Sequence, residues 1–132
     1  IQSEYFVPLD AATEALAAVR AVASTIDPVL LVTELRTVAA DDLWLSPAFQ
    51  RDVLAIHFTW RNDNAGVAAV LPTIEAALAP FEPRPHWGKA FTLPGETIRA
   101  TLPHAADFVA AAREADPRGV FRNAFLERTL GA

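Results

Sequence analysis

Two alternating runs of residues set the frame. In residues 29–38, Val29, Leu31, Thr33, Leu35 and Thr37 fall on one side of an extended chain, and Leu30, Val32, Glu34, Arg36 and Val38 fall on the other. In residues 53–60 the pattern repeats, with Leu54, Ile56, Phe58 and Trp60 as an apolar row and Val53, Ala55, His57 and Thr59 as a row that turns polar. Both runs predict strands. If they are neighbours, one face of the sheet is apolar and the opposite face gathers Glu34, Arg36, His57 and Thr59.

The remaining pattern fills in around that pair. Residues 4–8 are aromatic and β-branched and stop at Pro8, which predicts a short edge strand. Asp10 is placed to cap a helix over residues 11–26, where Leu16, Val19, Ala23 and Ile26 recur at helical spacing before Asp27-Pro28 ends the run. Residues 39–47 read as a long excursion, with Trp44 packing down as its anchor. After the second strand, Val67, Val70, Leu71, Ile74 and Leu78 share one helical stripe behind the turn residues 61–64. Pro72 predicts a kink there, or a helix beginning near Leu71. Pro80, Pro83 and Pro85 force an extended approach to a last strand at residues 86–89, and a third helix is expected from about Leu102 to Asp116. Strand, helix, strand, strand, helix, strand is the order of an α+β, ferredoxin-like antiparallel sheet with its helices on one face, here with a helical C-terminal segment added. The face carrying Glu34 and Arg36 is then left bare by this chain.

Composition narrows the function classes. At 132 residues the chain is one domain, and 52% hydrophobic with 20% charged residues excludes a disordered chain. The apolar runs look too short to cross a bilayer. A net charge of −5 without a basic run lacks the electrostatic footprint of a nucleic-acid or anionic-membrane binder, so neither partner is expected. The chain has no cysteine, hence no disulfide, thiolate metal site or cysteine nucleophile, and no His, Asp and Glu set has metal-ligand spacing. It begins at Ile1, contains no methionine, and opens on residues resembling the middle of a fold. The expectation is a piece of a longer, cytoplasmic protein.

Glutamate and arginine two apart in a Val/Leu strand form either a solvated ion pair or a recognition pair. A polyol suits the second reading: a carboxylate accepts from one hydroxyl while a guanidinium fork donates to it and its neighbour. His57 and Thr59 would be ordinary strand residues were they not on that same face. His86-Trp87-Gly88-Lys89 places a titratable ring, a large aromatic, a flexible backbone position and the chain's one lysine in a short stretch. Its bland reading is a strand end with a cationic tip. The alternative is close backbone approach to a flat ligand, with a fixed cation for developing negative charge. His104 reads as a surface residue, and no Gly-x-Gly-x-x-Gly or phosphate loop is present.

The stretches Ser3-Glu4-Tyr5-Phe6-Val7-Pro8, Thr33-Glu34-Leu35-Arg36-Thr37-Val38, His57-Phe58-Thr59-Trp60, Arg84-Pro85-His86-Trp87-Gly88-Lys89 and Asp116-Pro117-x-Gly-x-Phe-x-Asn123, in that order, resemble the C-terminal portion of the alditol oxidases. These are flavoenzymes of the vanillyl-alcohol oxidase superfamily, related to the sugar-lactone oxidases. The resemblance implies oxidation of a polyol's terminal primary alcohol, with FAD as cofactor and O2 reduced to H2O2. It also implies that Glu34, Arg36, Thr59 and Lys89 bind substrate, with His57 lining the pocket. Arg36 and Lys89 would act in catalysis, and His86 would lie near the flavin. The FAD-binding domain, with its covalent flavin attachment and a substrate-binding serine, would lie outside residues 1–132, so this chain alone is expected to be an inactive C-terminal substrate-binding (cap) domain. Two alternatives stand beside this: a sugar-1,4-lactone oxidase, and a non-enzymatic ferredoxin-like module using its open face for a ligand or for dimerisation.

Overall fold

The computed structural model describes residues 1–131. Four antiparallel strands, β1 (Gln2–Pro8), β2 (Leu30–Val38), β3 (Val53–Trp60) and β4 (Arg84–Pro85), lie in the order β2-β3-β1-β4. Helices α1 (Ala12–Ala21) and α2 (Ala23–Ile26) connect β1 to β2, and α3 (Asn64–Leu78) connects β3 to β4. This is the predicted ferredoxin-like arrangement. Tyr5, Val7, Leu54, Ile56, Phe58 and Trp60 turn toward α1 and α3 and bury against Ala15, Val67, Val70, Leu71, Ile74 and Leu78. The apolar row read in residues 53–60 is thus on the inner face of the main core, whereas Leu31 and Leu35 of β2 stay exposed.

Helix α3 forms because an apolar stripe coincides with a good start signal. The Asp63 carboxylate accepts from the Gly66 amide at 2.9 Å, satisfying one of the free donors of the first turn. Gly66 is required by closeness: a Cβ there would sit 2.3 Å from Asp63 Oδ2 and 2.8 Å from Val29 Cγ1. Asp63→Ala is expected to cost about 1 kcal/mol, read from the urea midpoint. The helix runs through Pro72 rather than starting near Leu71. The segment Asn64–Phe81, 18 residues at mean hydropathy 1.3, is long and apolar enough to cross a membrane by composition, contrary to the expectation from run length. Here its apolar stripe is spent on the sheet.

A buried carboxylate ties α3 to the sheet. Glu75 accepts from the Tyr5 hydroxyl at 2.9 Å and the Thr92 amide at 2.7 Å, and also from the Thr92 hydroxyl. Burial first, and then the Glu75 charge, push the Tyr5 phenol far above its ordinary pKa.

Several expectations give way to tertiary context. β1 is not an edge strand, because it pairs with both β3 and β4. The strand of residues 29–38 is itself an edge, paired only with β3, and all of Leu31–Thr37 is exposed. A register shift between Leu30 and Val32 moves Leu30 onto the helix side, opposite Trp60. Asp10 lies in a 3-10 turn (Leu9–Ala11) and caps nothing, and the first helix breaks at Val22. Trp44 stays exposed and stacks on His104, with ring centroids 5.3 Å apart. His104 is accordingly no free surface residue: it also meets Phe49 edge-on and lies 2.6 Å from Asp107.

Beyond β4 the helix expected from about Leu102 to Asp116 is α5 (Ala105–Ala115); an unexpected helix α4 (Gly95–Thr101) precedes it, and α6 (Ala124–Leu130) follows. Ile98, Leu102, Ala105 and Leu130 close a second, smaller core. The Asp116–Asn123 motif is a built turn. Gly119 takes φ +65°, Asp116 accepts from the Phe121 amide at 2.8 Å, and Asn123 caps α6 by accepting from Leu126 N at 3.0 Å.

Candidate functional site: the charged face of the sheet

The face away from α1 and α3 is divided. At one end Phe6, Val38, Val53 and Ala55 are covered by Ala48 from the loop of residues 39–52. That loop is tied down by Arg84, whose guanidinium donates to the Pro47 and Phe49 carbonyls at 3.1 and 2.8 Å, and by Trp87 Nε1, which donates to the Leu45 carbonyl at 3.2 Å. Burial, and then neighbouring Arg51, lower the Arg84 pKa to about 10. At the other end sit the charged residues.

Register brings the predicted four together. Glu34 pairs with His57, and Val32 with Thr59, so Glu34, Arg36, His57 and Thr59 share the face. Glu34 accepts from Arg36 and lies 3.2 Å from His57 Nδ1. That imidazole nitrogen is buried and out of line for a hydrogen bond, so it has no partner. Glu34 and Arg36 keep 48% and 49% of their side chains exposed, whereas His57 is only 4% exposed.

The segment at residues 86–89 is a turn rather than a strand. His86 N donates to the Glu4 carbonyl and Ala90 N to the Gln2 carbonyl, so the chain leaves β1 and rejoins it around the turn closed by Lys89 N to the His86 carbonyl. The excursion carries Lys89 over the sheet face. His86 lies beside Phe6, ring centroids 6.3 Å apart, and its Nδ1 accepts from Gly88 N at 3.2 Å. A Cβ on Gly88 would press on that imidazole at 3.2 Å, so the glycine serves the turn's own geometry.

Sequence reasoning missed Glu4. Its side chain is 7% exposed, with Oε1 accepting from Arg36 at 3.1 Å and Oε2 from Lys89 Nζ at 2.6 Å. Because residues 4–8 read as an edge strand, a glutamate there passed as solvated. Lys89, Glu4, Arg36 and Glu34 thus form an alternating line of charge across β1 and β2, with neutral His57 beneath it. Edge-strand charges can serve merely to discourage strand addition, which would account for Glu34 and Arg36. It does not account for Glu4 and His57, which are buried on interior strands of the same face.

Burial lowers the His57 pKa below its ordinary 6.5, followed by the Lys89 charge, whereas Glu4 and Glu34 oppose the shift. In the unfolded chain this histidine takes a proton as pH falls through 6.5, while in the fold it resists. The stability it contributes is therefore complete above that pH and lost on acidification. His57→Asn is expected to flatten the fall in melting temperature between pH 7 and pH 5, the range set by that direction. Among the described residues no cluster of His, Asp and Glu could hold a metal ion.

Fold and face together define a ferredoxin-like domain that presents alternating charge on an open sheet surface. The sequence profile of the D-arabinono-1,4-lactone oxidase family matches residues 1–129. The chain belongs to that family. It is 49% identical over 98% of its length to an alditol oxidase from Streptomyces sp. (strain IKD472 / FERM P-14339), covering 31% of that protein. It is 32% identical over 98% of its length to an L-gulono-1,4-lactone dehydrogenase of Mycobacterium tuberculosis, and 28% identical over 96% to the L-gulonolactone oxidase of Bos taurus, covering 30% of each. The chain spans under a third of the length of these curated relatives.

Proposed function

We propose that residues 1–132 are the C-terminal, substrate-binding domain of a longer FAD-dependent oxidase that converts the terminal primary alcohol of an alditol to the aldehyde and reduces O2 to H2O2. The observation that carries this reading is the Glu34–Arg36 pair standing opposite His57 on the bare end of the sheet, a carboxylate and a guanidinium side by side as vicinal hydroxyls require. The 49% identity to a protein named alditol oxidase supports the polyol, and the D-arabinono-1,4-lactone oxidase profile supports oxidase chemistry.

The residues present fit only the ring end of a flavin. His86 and Lys89 stand together on one turn at the rim of the open face, with the Lys89 ammonium donating to Glu4 at 2.6 Å. The sequence holds no Gly-x-Gly-x-x-Gly or phosphate loop beside them. FAD, if bound there, would supply the hydride acceptor and the route for electrons to O2. His86 is assigned to the flavin's edge, and the remainder of the cofactor to a region outside these residues.

Glu34 accepts from one substrate hydroxyl, Arg36 donates to that oxygen and its neighbour, and Thr59 Oγ1 engages a hydroxyl further along the chain. Arg36 and Lys89 hold the reacting oxygen and the negative charge that grows on it as hydride leaves. Neutral His57 packs beneath without adding positive charge. Buried Glu4 and His57 make a self-associating apolar interface a poor use of this face.

A second reading, oxidation of a sugar 1,4-lactone, is favoured by the name of the family and by those of the mycobacterial and bovine relatives. A substrate panel on the flavin-containing protein separates the two: xylitol or sorbitol is expected to exceed an aldonolactone in kcat/KM, and the reverse order establishes the lactone. The 132-residue chain alone is expected to give no xylitol-dependent peroxide; robust production by it would overturn the half-site reading.

A further inference from the structure

We propose that Glu4 is a positioning residue that sets the separation and aim of the two cations on the charged face, Arg36 and Lys89. The proposal rests on the oxidase reading for its kinetic consequence, but not for its geometry.

Glu4 is a carboxylate buried on an interior strand, and each of its oxygens is committed to a different cation: Oε1 to Arg36 at 3.1 Å and Oε2 to Lys89 at 2.6 Å. Those cations come from opposite directions. Arg36 reaches in from edge strand β2, across β3, and Lys89 reaches back from the turn beyond β4. One rigid group between them fixes their heads on either side of a single carboxylate. Among the described residues neither cation has another buried carboxylate as partner. Arg36 otherwise holds Glu34, itself half exposed on the same edge strand, and the carboxylate of Glu4 is the ion-pair partner found for Lys89.

Both long side chains would sample many rotamers if they were free, and the charge they present would be smeared over the face. Held by Glu4, each spends one N–H on that carboxylate, and Arg36 a further one on Glu34, so that both heads are fixed where they meet the open face. This is the preorganisation that lets donors act on developing charge without first moving. Plain charge neutralisation is the competing account. It would be served as well by an exposed carboxylate on the rim, whereas Glu4 bears the cost of burial at the midpoint between the two heads.

The test uses the flavin-containing protein, with xylitol as substrate and acetic anhydride as probe of the Lys89 amine, read on the peptide carrying it. In Glu4→Gln the Lys89 amine is expected to acylate several-fold faster, and kcat per bound flavin to fall on the order of 100-fold with KM within about threefold. A purely structural Glu4 would instead lower the yield of folded protein and leave kcat per flavin unchanged. If Glu4→Gln does not fold, Glu4→Asp decides: it keeps the charge but is too short to meet both cations, so it is expected to free Lys89 likewise and to lower kcat at least about tenfold. Unchanged Lys89 acylation in a folded variant overturns the proposal, whatever the rate does. Faster acylation in a protein whose wild type turns over neither polyols nor lactones leaves Glu4 as the anchor of Lys89 and sinks the oxidase reading instead.

Discussion

Arg36→Ala in the flavin-containing protein is expected to lower kcat/KM for xylitol by about 10²–10³-fold. Arg36 is half exposed at the edge of the sheet, so little packing is lost, but its fork is shared between Glu4, Glu34 and the proposed substrate oxygen. The loss should fall mainly on kcat, since the charge it holds appears as hydride leaves. Stability should fall by only about 1–2 kcal/mol, because buried Glu4 keeps Lys89 when it loses Arg36. Steady-state kinetics beside a urea titration separate the two effects. A variant with unchanged kinetics and a lowered melting temperature would reduce Arg36 to a structural ion pair.

The largest expected loss of stability lies elsewhere, at Glu75→Leu. Leucine matches the surroundings of α3, yet it would strand the Tyr5 hydroxyl and leave the Thr92 amide and hydroxyl without their acceptor. Stranded buried donors cost more than the hydrogen bonds they once made, so about 3 kcal/mol is expected. Adding Tyr5→Phe should recover part of it, because one orphaned hydroxyl then disappears; a double variant no more stable than Glu75→Leu would contradict this. Tyr5 also gives the fold an alkaline limit. Its phenol stays protonated in the native protein while the unfolded chain ionises it above 10.0, so stability is complete below that pH and declines as pH rises past it.

What the sequence made legible follows from which forces are local. The period-two alternation of β3 survives folding because its large apolar row packs on the helices while the other row, of small and polar residues, lies on the opposite face, so its span and both faces were readable. The stripe of α3 was readable because Asp63 caps it and five spaced apolar residues agree with it. The polar row of Glu34, Arg36, His57 and Thr59 came through intact, since the register shift in β2 lies before Glu34 and leaves the rest in phase. The illegible parts depend on contacts distant in sequence. No local signal shows that β1 is flanked by two strands, hence none shows that Glu4 is buried. The prolines near β4 announced extended backbone, but the return of Ala90 to the Gln2 carbonyl, which makes residues 86–89 a turn, involves a partner far back in the chain. Trp44 is large and apolar enough to predict burial, yet its neighbour is the imidazole of His104 from the start of α5. The break at Val22 carries no strong punctuation and packing decides it, whereas α4 is bracketed by Pro94-Gly95 and Pro103, a signal present in the sequence that sequence reasoning missed.

The central claim is that the bare, charged end of this sheet receives the alcohol. It is tested most directly by mixing the flavin-containing protein with xylitol in the absence of O2 and following the bleaching of the flavin, in the wild type and in Glu34→Gln. Rapid bleaching in the wild type, and bleaching at least about 100-fold slower in a variant with full flavin content, is the predicted result. Equal rates in the two proteins would place the substrate somewhere other than this face.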